Sequence, residues 1–280
     1  MPYPLVRSAI RRALPLCLVT LLAAPLGAQT SAPKQGLVTP QELWHAWLKE
    51  WGVDSIDPAP RQPVSRADSL AWVRARARAE RADGRKIVIS LFDRHLWLID
   101  GADTLVSAPA GIGMGVVTVN GRTWDFSTPR GERHVLRKET DPVWVPPDWL
   151  YEGMALARGR ALVQMRPGRG YPLKNGDRLV LRDGQAGLVH PDGRFEAIDG
   201  PDTIMFDDTV FVPPVGSANR KAYGMLGKYA LALGDGYFIH GTEEKFAIGL
   251  PATHGCIRLS ADDLARLYAQ TPVGTAVYIY

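Results

Sequence analysis

From Lys86 onward the chain alternates short apolar runs with turn dipeptides, and this punctuation restricts it to a fold of many short strands. Ile87-Val88-Ile89-Ser90-Leu91-Phe92 and His95-Leu96-Trp97-Leu98-Ile99 flank Asp93-Arg94, a hairpin spacing, and a third strand is expected over residues 104–109. Strand 116–119 follows, then the turn Thr128-Pro129-Arg130-Gly131. Gly111-Ile112-Gly113-Met114-Gly115 lacks the spacing and the following helix of a phosphate-binding loop, so its glycines are expected to serve turns. Pro167-Gly168, Asn175-Gly176, Asp183-Gly184, Asp192-Gly193 and Gly200-Pro201 crowd residues 158–214 around runs such as Leu179-Val180-Leu181, which predicts a small inserted β region. A further hairpin is expected over 229–233 and 237–240. Ser260-Ala261-Asp262-Asp263 caps a helix to about Gln270, and 276–280 closes as a strand. With 28 Gly and 22 Pro scattered without period and 46% apolar residues, a collagen-like or disordered chain is excluded. Residues 85–280 are therefore expected to be mainly β with flanking helices, an α+β domain.

The N-terminal part has a different character. Arg7, Arg11 and Arg12 precede an apolar run over 13–26, and Leu26-Gly27-Ala28 offers small residues before Gln29, the order of a secretory signal peptide over 1–28. The run falls short of the roughly 20 residues a bilayer-spanning helix needs. An uncleaved anchor is the alternative. Cleavage would remove three arginines and no acid, taking the formal charge from +4 to +1. With no other run of like charge, nucleic acid is excluded as a partner. The mature chain is expected to be exported, to a periplasm or cell envelope, without a stable membrane span. Residues 29–84 are expected to form a helical segment and linker. Residues 29–38 are unstructured in this reading. A helix capped by Thr39-Pro40-Gln41-Glu42 then puts Trp44, Trp47, Leu48 and Trp51 on one face. Pro58, Pro60 and Pro63 mark the linker, and a second helix runs from Ser65 to about Ala82, with Gly84 as its stop. These helices should pack on the sheets or bridge to them.

Removal of the leader also takes Cys17, leaving Cys256 without an intramolecular partner. A lone thiol in an exported chain is reactive, intermolecular, or simply buried. Its neighbours bear on the choice: His240-Gly241-Thr242 ends a strand, and Thr253-His254-Gly255-Cys256-Ile257-Arg258 forms a loop before a helix. An ordinary cysteine is only a few per cent thiolate at pH 7, and a protonated imidazole in contact can lower its pKa enough for acyl transfer. Backbone N–H groups of His254, Gly255 and Cys256, where they converge, would hold an oxyanion. By residue type alone three other readings stand. His240 and His254 could be core histidines, His240, His254 and Cys256 could ligate zinc, and Arg258 could be a structural ion-pair partner.

The combination of His240-Gly241-Thr242 with Thr253-His254-Gly255-Cys256-Ile257-Arg258 resembles the signature of the L,D-transpeptidases of bacterial cell-wall synthesis. The opening hairpin, Thr128-Pro129-Arg130-Gly131 and Thr271-Pro272-Val273-Gly274 extend the likeness over about 86–280, except for 158–214, which looks longer than usual. The resemblance implies a β-sandwich catalytic domain over 85–280, needing no cofactor or metal. It further implies that the Cys256 thiolate attacks a tetrapeptide stem of peptidoglycan and expels D-Ala, and that the amine of a second stem resolves the thioester as a 3→3 cross-link. His240 would be the general base and acid, and His254 a neighbour shaping the oxyanion pocket. Gly255, Thr253, Arg258, Gly241 and Thr242 would shape the oxyanion and substrate-binding region, with Arg258 also a candidate for a substrate carboxylate. No Asp or Glu is placed by the sequence to orient His240. Resolution of the acyl-enzyme by water or by a protein lysine would use the same residues. A non-catalytic wall-binding protein would instead rely on Trp44, Trp47 and Trp51 stacking on sugars. All eight tryptophans lie at or before Trp149, so the motif region is expected to carry no aromatic platform.

Overall fold

The computed structural model describes Lys49, Ser55–Ile56 and residues 65–119, 121–200 and 203–280. The expected leader over 1–28, the unstructured stretch 29–38, the tryptophan-bearing helix and the proline linker lie outside the described residues, apart from Lys49. Among the described residues no helix is long and apolar enough to cross a membrane.

The elements that frame the site run in chain order as α1 (Arg66–Arg81), β1 (Arg85–Ser90), β2 (His95–Asp100), β3 (Asp103–Pro109), β4 (Gly131–His134) and β5 (Arg137–Thr140). They continue with α2 (Asp148–Ala157), β6 (Tyr229–Gly234), β7 (Tyr237–His240), β8 (Ile257–Arg258), α3 (Ala261–Gln270) and β9 (Ala276–Ile279). One sheet has the order β3-β2-β1-β9-β4 and a second the order β8-β7-β6-β5. The fold is mainly β, as the sequence led us to expect. Ile87, Ile89, Leu96, Leu98, Val277 and Ile279 of the first sheet share one core with Leu231, Leu233, Ile239 and Ile257 of the second, so the two sheets form a sandwich.

Strand periodicity explains how β1 is buried on both faces. Ile87 and Ile89 enter the sandwich, whereas Val88 points the other way and joins Tyr278 and Ala79 of α1. Helix α1 starts at Ser65, whose hydroxyl accepts from Asp68 N–H at 3.0 Å, and it buries only Ala75 and Ala79, small enough to bring the helix close to the sheet. Lys86 Nζ donates to the carbonyls of Ala79 and Ala82, a cation at the negative end of the helix. Near the other end, Arg130 is held by Asp68 at 2.6 Å.

Between β5 and β6 the chain folds into a separate layer. After α2, strand Ala161–Gln164 pairs in parallel with Thr209–Val212, and Tyr171–Pro172, Arg178–Arg182, Gln185–Val189 and Phe195–Ala197 make a four-stranded sheet. Met165, Tyr171, Leu173, Leu179, Ala186, Ile204 and Phe211 give this layer its own core. Asp183 and Gly184, at φ 50° and 76°, form the two-residue turn that joins Arg182 to its partner Gln185. Buried Arg220 fastens the layer to the start of α2, donating to Asp148 Oδ1 and Pro213 O, each at 2.9 Å, and to Pro146 O.

Candidate active site

His240 is the last residue of β7, and β8 pairs with β7 in parallel, with Ile239 opposite Ile257 and His240 opposite Arg258. Cys256 immediately precedes β8. Continuing that register puts it beside Phe238, two residues from the His240 position. Parallel pairing of β8 at the end of the sheet with β7 thus brings together residues 16 positions apart in the chain.

His240 is 4% exposed, and its Nδ1 lies 2.6 Å from Gly241 O. A carbonyl only accepts, so Nδ1 carries the proton and Nε2 keeps its lone pair. The orienting group that the sequence left unspecified is this backbone carbonyl. Gly241 serves a second purpose, packing against Gly227, where a Cβ on Gly241 would stand 3.3 Å from Gly227 Cα.

Thr253 is buried and links the ends of the nucleophile loop. Its Oγ1 donates to Cys256 O at 2.6 Å and accepts Gly255 N–H at 3.1 Å. Gly255 adopts φ 111° and comes so near the Tyr237 ring that a Cβ would stand 2.8 Å from it, so backbone conformation and space both require glycine. Thr128, from the distant turn before β4, completes the brace. Its Oγ1 accepts Gly113 N–H at 2.8 Å and donates to Gly255 O at 3.0 Å.

Several features differ from the sequence expectations. Gly111 and Gly113 do not sit at turn dihedrals; of that glycine series only Gly115, at φ 80°, is left-handed. They are needed for close backbone approach, since a Cβ would lie 2.5 Å from Ala247 O at Gly111 and 2.1 Å from Phe126 O at Gly113. Ile112–Gly113 in turn pairs with Pro251–Thr253 and forms part of the loop's bed. Arg258 is ion-paired with Glu244, so the guanidinium proposed for a substrate carboxylate already has a carboxylate partner. Thr242 Oγ1 accepts Glu244 N–H at 3.0 Å, which shapes the turn that presents Glu244. An aromatic wall is also present. The His254 ring lies 4.6 Å from Trp149, at the start of α2, and 4.7 Å edge-on from Phe126. Residue counting along the chain missed this because α2 folds back over the loop. Thr128, Phe126, Trp149 and Glu244 were not singled out, and only Thr128 sat in a motif that could have flagged it.

The electrostatics also depart from expectation. Burial, with the positive charge of Arg258 adding to it, pushes His240 down to about 3 despite its bond to Gly241 O. His254 is likewise lowered to about 3 by burial and by Arg258. Burial raises the Cys256 thiol, and the Phe238 N–H and Arg258 offset this only in part. The thiol, partly exposed, has its hydrogen-bond contact with Gly236 O at 3.8 Å, and among the described residues no hydrogen bond joins it to His240. Burial thus works against the charged form of all three groups, whereas the sequence reading looked to a protonated imidazole to lower the thiol. Charged forms are costly in so enclosed a place. Among the described residues no group of three or more His, Cys, Asp or Glu is arranged to hold a metal ion.

The YkuD family model, the L,D-transpeptidase catalytic domain, matches residues 84–279, and the chain belongs to this family. It is similar to the Probable L,D-transpeptidase YbiS of Escherichia coli, 50% identical over 52 residues, which are 19% of this chain and 17% of that protein. To the Probable L,D-transpeptidase ErfK/SrfK of Salmonella typhimurium it is 36% identical over 117 residues, 36% of each chain. The alignments thus span well under half the length of these relatives. Among solved structures, an L,D-transpeptidase from Xylanimonas cellulosilytica aligns at TM-score 0.36 and 16% identity over 71% of this chain and 61% of that one. One from Mycobacterium smegmatis aligns at TM-score 0.35 and 18% identity over 70% and 59%.

Proposed function

We propose that the protein is a cysteine-dependent L,D-transpeptidase acting on peptidoglycan stems in the cell envelope. Family membership supports this, and the observation that carries it is the fixed tautomer of His240: Gly241 O holds Nδ1–H, so Nε2 is a base on the strand that pairs beside Cys256. Because burial disfavours both charged forms, the first step is a proton transfer coupled to attack. The Cys256 proton passes to His240 Nε2 as Sγ bonds to the carbonyl carbon of the third stem residue. The Gly255 N–H is engaged by Thr253 Oγ1, and the neighbouring Cys256 N–H is a candidate donor to the oxyanion. Collapse breaks the C–N bond to D-Ala, whose amine takes the proton from His240. A second stem's amine then attacks the thioester, His240 accepts its proton, and the C–S bond breaks to restore the thiol and leave a 3→3 cross-link. Water or a protein lysine as acceptor would follow the same route and give a carboxypeptidase or an attachment enzyme.

Intact-mass analysis with a soluble tetrapeptide stem, alone and with an acceptor stem, tests this. A wild-type adduct short of one alanine, absent from Cys256→Ala, is expected, with a cross-linked dimer when acceptor is present. Full turnover by Cys256→Ala would refute the mechanism, and free tripeptide as the sole product would replace transfer by hydrolysis.

A further inference from the structure

The four-stranded sheet of the inserted layer carries a face that this reaction does not use. Along Arg178–Arg182, Leu179 and Leu181 enter the layer's core, which sends Arg178, Val180 and Arg182 outward. Register extends that face across the sheet, with Val180 opposite Gly187 and Val189 opposite Phe195. The Phe195 ring lies against the backbone of Gly187, where a Cβ would meet its Cε2 and Cζ at 2.4 Å. The Arg182 guanidinium covers that ring, 4.5 Å from its centroid. At the other end Arg178 runs over Gly170, its Cδ 2.4 Å from where a Cβ would stand.

Arg178 and Arg182 are both exposed, and among the described residues neither has a carboxylate partner. Arginines elsewhere are commonly paired, as Arg85 is with Asp100, Arg122 with Glu152 and Arg133 with Asp235. The outward positions of the four strands hold no Asp or Glu. A planar guanidinium braced on an aromatic ring keeps its N–H edge free for a bidentate carboxylate. The half-buried Val180 and Val189 supply an apolar strip between the cations, suited to the C–H faces of sugar rings.

We propose that this face binds the wall polymer itself, a glycan strand whose free stem carboxylates meet Arg178 and Arg182 while its sugars lie along the apolar strip. The proposal rests on the reading of the protein as a peptidoglycan enzyme.

Sedimentation with insoluble peptidoglycan sacculi tests the proposal, in a Cys256→Ala background so that no covalent capture contributes. Binding should weaken with added salt, and Arg178→Gln with Arg182→Gln should raise the half-saturating concentration about fivefold or more. Melting curves of parent and variant establish that both are folded. Sacculi whose stem carboxylates are chemically amidated should bind the unmutated face as weakly, and insoluble chitin, a neutral glycan, should not bind. Equal sedimentation of parent and double variant, undiminished binding to amidated sacculi, or preference for anionic lipid vesicles would overturn the proposal. A missing Cys256 adduct with soluble stem would instead refute the enzymatic reading.

Discussion

Replacing Thr128 by Val keeps the shape of the side chain and deletes one hydroxyl. That hydroxyl is buried, with Thr128 only 5% exposed, and it makes two bonds, from Gly113 N–H at 2.8 Å and to Gly255 O at 3.0 Å. Gly113 and Gly255 are themselves buried, so water cannot substitute. Each backbone group left unsatisfied costs about 1–3 kcal/mol, which puts the change at about 3 kcal/mol in all. For a domain stable by roughly 5–15 kcal/mol that is a large fraction. With an m-value of about 3 kcal/mol/M in urea, the unfolding midpoint should fall by about 1 M. Thr128→Ser keeps the hydroxyl and should cost only about 1 kcal/mol for the lost methyl. Equilibrium urea denaturation of all three proteins decides the matter. A Val variant within about 0.5 kcal/mol of wild type, or a Ser variant as unstable as the Val one, would refute the brace.

Three other outcomes are expected. Alkylation of Cys256 by iodoacetamide should keep accelerating above the ordinary thiol range of about 8.5, because burial raises this thiol; a plateau below pH 7 would contradict it. Trp149→Ala should uncover His254 and let its pKa climb from about 3 toward the ordinary value of about 6.5, read by NMR titration; an unmoved titration would exclude the ring as part of its enclosure. His190 has Asp177 on Nδ1 at 2.8 Å and Glu196 on Nε2 at 3.1 Å, an arrangement only the imidazolium satisfies at both ends, and its pKa is raised by these bonds. The stabilisation is full below the unfolded value of about 6.5 and is lost as pH rises through the folded one, so melting temperature should decline on the alkaline side and His190→Gln should flatten that slope.

Local rules made much of the fold legible. The hydroxyls of Ser65 and Ser260 each accept from an N–H three residues on, as capping residues do, and the Asp183-Gly184 turn joins its strands as the dipeptide suggests. The hairpins around Asp93-Arg94 and Gly234-Asp235-Gly236 also followed from strand period and turn chemistry. Long-range packing was not legible. Thr128 and Gly255 are 127 positions apart, and no local pattern joins them. The ordering of tryptophans in the chain suggested a site without aromatic rings, yet α2 returns Trp149 to His254. Residue types suggested an activated thiol, but charge state depends on how much water the fold removes, which spacing does not encode. Gly111 and Gly113 looked like turn glycines because the sequence marks where a side chain is missing and not which backbone occupies the gap.

The position of β9 has a consequence for how the molecule is made. Residues 276–279 form an interior strand, in parallel register with β1 on one side and antiparallel with β4 on the other. Until the ribosome has delivered that segment, β1 is paired only with β2 and β4 has no neighbour in this sheet, so the nascent chain cannot close its first layer. Such distant pairing is slow to nucleate, because the loop between the two segments must close before their contacts form.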